Sequence, residues 1–434
     1  MNLSEKLAIA FDLGTTTIAA ALFDPQTGER LAMTGGLNPQ REFGLDVVSR
    51  LDAALNSEGA LLEMKGSVNG ALEQMALELL AGAGAKASDL KIAAVAGNPA
   101  MEHILLGLPV KSLAFPPYRP LFTTGRMMNT TELGWDTAVP AYIFPLPGGF
   151  VGGDLLAFLY GVDVTCPRSP LARRSASARE GPVPACRLFL DLGTNGELAL
   201  MLGEKIYATS AAAGPAFEGG DLTCGMAALA GAISGVTLEG ERVRFATIGG
   251  GPPLGICGSG VLETIAELLR TGLLDQTGRL RSPSEIPSNL ANRIIDIDNE
   301  AAFVVYRDAK RVISLGQKDI RQAQLAKGAI RAGIEVLFDR SGISREAVQE
   351  VVLTGSFGAT LDPGALKNVG ILPAKMVNVC SFVREGALAG VGRSICTSGG
   401  IEEIDRLAKS IRVIPLSGTP AFEKHFLEQM NFPS

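Results

Sequence analysis

Short apolar blocks that end in polar turns alternate with longer amphipathic stretches along this chain. An apolar run reaches Asp12 and a second run follows over Ile18–Phe23, which is typical of two consecutive strands joined by a tight turn. Helical spacing of apolar residues then prevails over Leu61–Leu80 and, much later, over Ala323–Phe338. Each amphipathic stretch precedes a short β-branched run. The pattern predicts a mixed α/β fold whose strands form a meander before helices and strands begin to alternate.

The opening pattern occurs twice. The segment Ile9-Ala-Phe-Asp-Leu-Gly-Thr15 returns as Leu188-Phe-Leu-Asp-Leu-Gly-Thr194. Two further similarities follow in the same order, namely Val95–Asn98 with Leu353–Ser356 and Phe150–Ala157 with Phe382–Ala389. Chance recurrence of glycine-rich strand ends would explain either later pair, but it explains an ordered set less well. We therefore predict two related halves, each opening with an antiparallel meander whose first turn carries an aspartate.

A segment without apolar periodicity separates the halves. Cys166–Cys186 is rich in Pro, Ser, Ala and Arg, and this composition indicates an exposed linker or surface loop. The alternative is that its arginines dock an acidic partner. The predicted domains are a first lobe over residues 1–165, a linker or surface loop over 166–186, and a second, enlarged lobe over 187–434.

The composition of the chain excludes several classes of function. A chain of 434 residues that is 47% hydrophobic can form a large core, which excludes a disordered protein. The formal net charge of −6 gives no general attraction to nucleic acid or to an anionic membrane. The longest charge-free runs are broken by Gly and Pro, so no membrane span is predicted. The 52 glycines predict many tight turns and close backbone approaches, as in a chain that wraps a ligand.

The six cysteines are widely spaced. No two of them form a CxxC or another short metal-binding pair, so we predict no iron–sulfur cluster and no structural zinc in this chain. With no recognisable signal peptide, we expect reduced thiols and a cytoplasmic location. Cys257 stands in a glycine cluster without a visible base, and we predict a small buried thiol there.

Two aspartate turns carry the candidate chemistry. Asp12-Leu-Gly-Thr-Thr-Thr17 places a carboxylate beside a glycine and three hydroxyl groups, and such a turn is suited to phosphate oxygens. The carboxylate would repel phosphate unless a cation intervenes, so Asp12 predicts Mg²⁺ held through water. Asp191-Leu-Gly-Thr-Asn-Gly-Glu197 repeats the arrangement. Two such turns facing each other across a cleft would hold a triphosphate with its metal between two carboxylates.

These paired turns resemble the two phosphate loops of the superfamily of acetate and sugar kinases, heat-shock chaperones and actin. The resemblance implies an α/β protein with an actin-like ATPase fold, in which two related ribonuclease-H-like lobes enclose a nucleotide cleft. It makes Phe150–Ala157 and Phe382–Ala389 the hinge helices and Leu353–Gly358 the adenosine loop.

Five further stretches of sequence point to one family within this superfamily. They are Leu37–Arg50, Gly97–His103, Ala213–Gly219, Gly255–Gly260 and Asp319–Lys327. Together they resemble the ATPase module of the reductive activators of corrinoid proteins, and the similarity runs from about Leu7 to Pro433.

The resemblance implies a set of site residues. Asp12, Asp154 and Asp191 would be catalytic, and Asp12 and Asp191 would hold Mg²⁺ through water. The implied contacts of ATP are Gly14, Thr15, Thr16, Thr17, Gly193, Thr194, Asn195, Gly258, Ser259, Gly260, Gly355, Ser356, Phe357 and Gly358.

Several of these residues have a structural alternative. Asp154 either orients the attacking water or caps the helix that follows it. The cluster Gly258–Gly260 either contacts phosphate or ribose at a helix start or allows close helix packing. Glu218 either lines the cleft or bonds a turn, and Lys327 is expected to be a solvated helix lysine rather than a partner of phosphate.

The implied activity is the ATP-dependent return of an oxidised Co(II) corrinoid protein to Co(I) in methyl-transfer pathways. Family members usually carry an iron–sulfur domain, and none is visible here, so the electron is expected from a separate iron–sulfur protein. The expected partners are therefore a corrinoid protein and an electron donor, with a homodimer possible. One alternative is a nucleotide-dependent chaperone, scaffold or regulator of corrinoid methyltransferase proteins. A small-molecule kinase is a further alternative, although no sugar-binding signature is present.

Overall fold

The computed structural model describes residues 7–162, 185–355 and 362–433. Most of the predicted linker and the predicted contacts Ser356, Phe357 and Gly358 lie outside the described residues.

Eighteen strands are present in these ranges. They are β1 Leu7–Leu13, β2 Thr17–Asp24, β3 Glu29–Leu37, β4 Leu90–Gly97, β5 Arg126–Asn129, β6 Pro140–Ile143, β7 Cys186–Leu192, β8 Asn195–Leu202, β9 Lys205–Ala212, β10 Ala232–Glu239, β11 Arg242–Thr247, β12 Gly255–Ile256, β13 Ile294–Ile297, β14 Glu300–Arg307, β15 Val312–Gly316, β16 Glu350–Gly355, β17 Cys380–Phe382 and β18 Ile411–Val413.

The described α-helices follow the predicted amphipathic stretches and several shorter ones. They are α1 Val47–Asn56, α2 Glu58–Gly82, α3 Pro99–Leu106, α4 Lys111–Ala114, α5 Thr130–Leu133, α6 Gly153–Gly161, α7 Gly258–Arg270, α8 Gln317–Ser341, α9 Pro363–Val369, α10 Ala374–Val377, α11 Gly386–Cys396, α12 Gly400–Ser410 and α13 Pro420–Glu428. None of these helices combines the length and the apolar character needed to cross a membrane.

Two six-stranded sheets share the order of five strands and differ in the edge at which the sixth is added. Their strand orders are β3-β2-β1-β4-β6-β5 and β17-β16-β7-β8-β9-β18. In the first sheet β1 pairs antiparallel with β2 and parallel with β4, which pairs parallel with β6. In the second sheet β7 pairs parallel with β16, which pairs parallel with β17. The same order of meander and parallel strands in both sheets confirms the prediction of two related halves.

In each six-stranded sheet, the register of two parallel strands places a glycine close to a backbone carbonyl group of the neighbouring strand. Leu13 lies opposite Gly97 in the first sheet, and Leu192 lies opposite Gly355 in the second. A Cβ atom on Gly97 would lie 2.8 Å from the carbonyl oxygen of Leu13. A Cβ atom on Gly355, where φ is +119°, would lie 2.4 Å from the carbonyl oxygen of Leu192. Both positions therefore require glycine, which explains why the second internal similarity includes it.

The second half is enlarged by two small sheets. Each has three strands, in the orders β11-β10-β12 and β13-β14-β15, and both precede the long helix α8. This insertion accounts for the greater length predicted for the second half.

The described residues group into two compact units that are not continuous in sequence. The first contains Met1–Ala185, Met201–Thr209 and Glu385–Ile414. The second contains Cys186–Leu200, Ser210–Arg384 and Pro415–Ser434. The lobe boundaries at residues 165 and 187 stay a prediction, because most of the linker between them is outside the described residues.

The first unit has a core formed by the sheet and the helices packed on it. Its centre contains the apolar side chains of β1 and β4 together with those of α2 and α3. The helices α6 and α11, which correspond to the third internal similarity, pack closely within this unit. A Cβ atom on Gly390 would lie only 1.7 Å from the carbonyl oxygen of Ala157. Glycine is therefore the residue that allows these two helices to approach.

Substitution of Gly390 by Ala should destabilise the first unit. The added methyl group meets backbone rather than a flexible side chain, so we expect a loss of about 1–3 kcal/mol in the free energy of unfolding. The matched control is Gly66→Ala in α2, where nothing lies within 4 Å and alanine should stabilise the helix by about 0.5–1 kcal/mol. Urea unfolding monitored by the fluorescence of Trp135, the single and buried tryptophan, reports on this unit. Equal effects of the two substitutions would contradict the packing argument.

Candidate functional site

The first aspartate turn is the short connection between β1 and β2. Asp12 is the penultimate residue of β1, and Gly14 to Thr16 form the turn. A Cβ atom on Gly14 would lie 2.7 Å from the carbonyl oxygen of Thr17, so the turn closes only around glycine. Thr15 is buried, whereas Thr17 is exposed at the start of β2.

Buried side chains hold this turn from within the fold. The Nδ2 atom of Asn38 donates to the carbonyl oxygen of Gly14 at 2.9 Å. The backbone amide of Asn38 donates to the carbonyl oxygen of Thr16, also at 2.9 Å. Arg50 donates from Nη2 to the carbonyl oxygen of Thr15 at 2.6 Å. Because Asn38 and Arg50 are fully buried, the carbonyl groups of the turn are directed towards the protein interior.

The hydroxyl group of Thr15 has a separate support. The Nδ2 atom of Asn98 donates to Thr15 Oγ1 at 3.0 Å, while Asn98 Oδ1 accepts from the backbone amide of Met101 and caps α3. Asn98 therefore links the turn to the start of a helix. Asn38, Arg50 and Asn98 were not predicted as site residues, although the stretches Leu37–Arg50 and Gly97–His103 that carry the resemblance contain them.

The second aspartate turn joins β7 to β8 in the second unit. Asp191 is the penultimate residue of β7, and the backbone amide of Gly193 donates to the carbonyl oxygen of Asn195 at 3.2 Å across the turn. The buried Thr194 donates its hydroxyl group to Glu218, whose carboxylate also lies 3.2 Å from the position of a Cβ atom on Gly193. The side chain of Glu218 therefore bonds the turn, and its role in lining a cleft stays a prediction.

The two turns differ in their chemistry. The hydroxyl group of Thr15 accepts a bond from a neutral amide, whereas the hydroxyl group of Thr194 donates to a carboxylate. Within its unit, the second turn therefore brings Glu218 close to the strand that carries Asp191. Carboxylate and hydroxyl oxygens are hard ligands that suit hydrated Mg²⁺. In the described part of the chain, no group of three or more His, Cys, Asp or Glu side chains is arranged to bind a metal directly.

Asp154 is the second residue of α6. The helix N-cap is Gly152, so the alternative role of Asp154 as an N-cap is wrong. Its Oδ1 atom accepts from the backbone amide of Leu155 at 2.8 Å. Burial raises the pKa of the Asp154 carboxyl group to about 6, close to the range in which a carboxylate can act as a general base near neutral pH.

The glycine cluster at the start of α7 has a packing function. A Cβ atom on Gly258 would lie 1.7 Å from the carbonyl oxygen of Phe217, and one on Gly260 would lie 2.2 Å from that of Ile233. Ser259 is buried and donates to the carbonyl oxygen of Ser234 at 2.9 Å. These contacts favour the packing alternative, and a contact between this cluster and nucleotide stays a prediction.

Two further expectations are decided by burial. Cys257 is buried, and its Sγ atom lies 3.3 Å from the carbonyl oxygen of Ile233, which confirms the small buried thiol. The expectation of a solvated Lys327 is wrong. Its Nζ atom is buried, donates to the carbonyl oxygen of Asn431 at 2.5 Å and lies 5.3 Å from the centre of the Phe432 ring. The chain folds back on α8 at its C-terminal end, a contact that helical periodicity could not reveal.

Fold and turns together define an actin-like ATPase domain. One family profile, described as the C-terminal domain of RACo, the ASKHA domain, matches residues 185–434. A second, described as the RACo middle region, matches residues 7–165. The chain belongs to the RACo family, and both the predicted fold class and the resemblance are confirmed.

This chain covers different shares of the curated relatives that it matches. The corrinoid activation enzyme RamQ of Eubacterium limosum is 33% identical over an alignment of 378 positions, which covers 84% of this chain and 60% of that protein. The [Co(II) methylated amine-specific corrinoid protein] reductase of Methanosarcina barkeri is 24% identical over an alignment of 462 positions, which covers 98% of this chain and 76% of that protein. The chain therefore spans less than two thirds of the Eubacterium limosum relative.

A solved structure agrees over the whole chain. The reductive activator for corrinoid, iron-sulfur protein superposes with a TM-score of 0.87 at 27% sequence identity. The match covers 100% of this chain and 67% of that one.

Removal of the Arg50 side chain should loosen the first turn and destabilise its unit. Arg50→Met leaves the carbonyl oxygens of Thr15 and Gly44 without their buried donor, which should cost about 2–4 kcal/mol in the free energy of unfolding. The control is Arg41→Met, because Arg41 is exposed on the same segment and should change stability by less than about 0.5 kcal/mol. Urea unfolding followed by Trp135 fluorescence compares the two. A similar loss in both variants would show that Arg50 does not hold the turn.

Proposed function

We propose that this chain binds and hydrolyses ATP and uses the cycle to drive the return of a Co(II) corrinoid protein to the Co(I) state. The observation that carries the proposal is the turn Gly14–Thr16, whose carbonyl oxygens are held inward by Asn38 and Arg50 and whose Thr15 hydroxyl group is held by Asn98. A turn fixed in this way before a ligand arrives offers backbone amides and hydroxyl groups to phosphate oxygens with little reorganisation. The names of the relatives support the corrinoid protein as the partner.

The proposed nucleotide contacts follow the two turns. Thr15, Thr16 and Thr17 on the first turn, and Thr194 and Asn195 on the second, are the proposed ligands of the phosphate groups. Gly14 and Gly193 allow the backbone to approach. The family resemblance implies that Gly355 begins the segment that receives the adenosine, and we propose this role here; its register with Leu192 repeats that of Gly97 with Leu13.

Asp12 and Asp191 are the proposed ligands of magnesium through water. Each lies at the end of a strand beside its turn, and Glu218 adds a carboxylate to the second turn. Bound Mg²⁺ would neutralise charge on the phosphate groups. The two aspartates would accept hydrogen bonds from its water ligands and so fix the position of the nucleotide.

Asp154 is the proposed base for the attacking water. With a pKa of about 6, its carboxyl group is mainly ionised at pH 7 and can accept a proton, and it loses this capacity as the pH falls through 6. The oxygen of the water then bonds to the γ-phosphorus while the bond from that phosphorus to the bridging oxygen of ADP breaks. Because Asp154 lies on a helix that packs against α11, its position depends on the helix contact at Gly390.

Coupling to the corrinoid protein requires that the two nucleotide states bind the partner differently. One electron reduces Co(II) to Co(I), and we propose that a separate iron–sulfur protein supplies it. The wide spacing of the cysteines in the sequence supports a separate donor. A homodimer and a cytoplasmic location stay predictions.

Neutralisation of either turn aspartate should weaken hydrolysis. Asp12→Asn and Asp191→Asn retain the shape of the side chain but lose the charge that holds hydrated Mg²⁺, so we expect a decrease of about tenfold or more in the Mg²⁺-dependent rate of ATP hydrolysis. The control is Asp136→Asn, an exposed aspartate of the first unit. Phosphate release measured over a range of Mg²⁺ concentrations should show the loss and a higher Mg²⁺ requirement. Unchanged hydrolysis in both turn variants would rule out these metal ligands.

The corrinoid activity is testable by reconstitution. A corrinoid protein, a competent low-potential electron donor, this chain and ATP are mixed without oxygen, and Co(I) formation is followed by its absorption spectrum. We expect faster Co(I) formation with ATP than without it, and no acceleration when Asp191→Asn replaces the native chain. Partner binding that changes between ATP and ADP, without any acceleration of reduction, would instead support the chaperone or scaffold alternative. No acceleration and no nucleotide-dependent binding would overturn both.

A further inference from the structure

Two of the stretches that carry the family resemblance are brought together in the second unit. Residues 213–219 precede both small sheets, whereas residues 319–327 follow them and lie in α8. The first stretch opens a segment, residues 214–226, that we call the connector. Asp319, which opens the second stretch, binds the connector at Thr223. This contact lies outside the residues proposed to bind nucleotide or magnesium.

Asp319 is a buried acidic side chain that serves two elements at once. It is only 2% exposed, and its Oδ2 atom accepts from the backbone amide of Gly316 at 2.9 Å, which caps the start of α8. Its Oδ1 atom accepts from the backbone amide of Thr223 at 2.9 Å and from the Thr223 hydroxyl group at 3.1 Å. One oxygen suffices for the cap, so the other is available to hold the connector.

The other end of the connector holds the second aspartate turn. The backbone amide of Gly214 donates to the carbonyl oxygen of Thr194 at 2.9 Å, and the hydroxyl group of Thr194 donates to Glu218. Between these two contacts, Pro215–Glu218 forms a single 3₁₀ turn in which Phe217 is fully buried. The connector therefore binds Thr194 through both its backbone and its side chain.

Two glycines bring the ends of the rest of the connector together. A Cβ atom on Gly219 would lie 2.1 Å from the carbonyl oxygen of Met226, and one on Gly225 would lie 2.2 Å from the carbonyl oxygen of Gly219. Gly219 directly follows Glu218. Gly225 lies two residues after Thr223. Because these backbones are in contact, a displacement of Thr223 would also displace Glu218.

Backbone bonds to β12 keep the general path of the connector. The amide of Ile256 donates to the carbonyl oxygen of Cys224 at 2.8 Å, and the amide of Met226 donates to the carbonyl oxygen of Ile256 at 2.9 Å. These bonds do not involve the side chain of Asp319. Loss of that side chain should therefore shift the second turn without unfolding the unit.

We propose that Asp319 is a positioning residue for the second aspartate turn. It holds Thr223, and with it the connector, so that Glu218 stays bonded to Thr194. The inference rests on the proposed function of this turn in binding phosphate and, through Asp191, hydrated magnesium. Asp319 acts through the connector and touches neither ligand.

Two substitutions at Thr223 test the contact without altering the cap of α8. Thr223→Val keeps the shape of the side chain but removes the hydroxyl donor, whereas Thr223→Ser keeps that donor. We expect Thr223→Val to raise the Mg²⁺ concentration for half-maximal ATP hydrolysis about threefold, and Thr223→Ser to leave it within about 1.5-fold of the native value. The turn still binds Mg²⁺ at saturation, so kcat should change by less than about twofold in both.

Asp319→Asn should have a larger effect, because its amide group places a donor against the donors of either Gly316 or Thr223. We expect the Mg²⁺ requirement to rise about tenfold. The matched control is Asp298→Asn, an exposed aspartate of the same unit, which should change nothing. In a Glu218→Ala background, Asp319→Asn should change the requirement by less than about 1.5-fold, since its effect passes through Glu218.

A purely structural role of Asp319 would give a different result. It would lower the fraction of active protein, and hence the apparent kcat, at an unchanged Mg²⁺ requirement. Independent effects of Asp319→Asn and Glu218→Ala, or equal effects of Thr223→Val and Thr223→Ser, overturn the proposal.

Hydrogen exchange separates this inference from the proposed function, because the measurement needs no ATP. Backbone amides in residues 191–197 and 214–226, followed by mass spectrometry, should exchange about tenfold faster in Asp319→Asn than in the native chain or in Asp298→Asn. If the native chain hydrolyses no ATP but exchange rises in this way, the proposed function fails and the positioning by Asp319 stands. If ATP is hydrolysed but exchange over residues 191–197 is the same in the native chain and in Asp319→Asn, the inference fails and the function stands.

Discussion

Close contact between parallel strands, possible only through glycine, is the constraint on which both halves of the molecule depend. Gly97 lies against the end of β1 and Gly355 lies against the end of β7, each opposite the residue that follows the aspartate of its turn. A side chain at either position would meet a backbone carbonyl group at less than 3 Å. The strand could not then continue in register, and the aspartate turn would lose the neighbour that positions it. The repeat in the sequence is thus a repeat of this contact.

The first turn obtains its rigidity from polar groups in the interior. Asn38 and Arg50 are fully buried, yet both bind backbone carbonyl oxygens of the turn, so their polar atoms are satisfied where they lie. A buried polar network destabilises the fold when one of its groups lacks a partner, and it specifies a single arrangement of the core when all are paired. The second turn uses a different device, because its threonine donates to Glu218. The two turns thus share a backbone pattern but differ in their side-chain chemistry.

The same kind of close approach recurs beside two acidic side chains, Asp154 and Glu102. Two glycines at the start of α6 leave room for both carboxyl groups beside the backbone of Gly97.

The amino-acid sequence determined the elements and their order. Apolar runs, turn residues and helical spacing depend on local physics, so the two meanders, the long helices and the paired aspartate turns could be predicted from them. The sequence could not assign Asn38, Arg50 or Asn98, because their importance arises from contacts between segments distant in sequence. For the same reason the sequence left two alternatives for Glu218 and suggested solvent for Lys327, whereas the structure places Glu218 on Thr194 and buries Lys327 against the C-terminal segment. A pattern of residues records which side chains are apolar, but only the tertiary structure decides which polar groups become buried together and therefore which of them must share protons and hydrogen bonds.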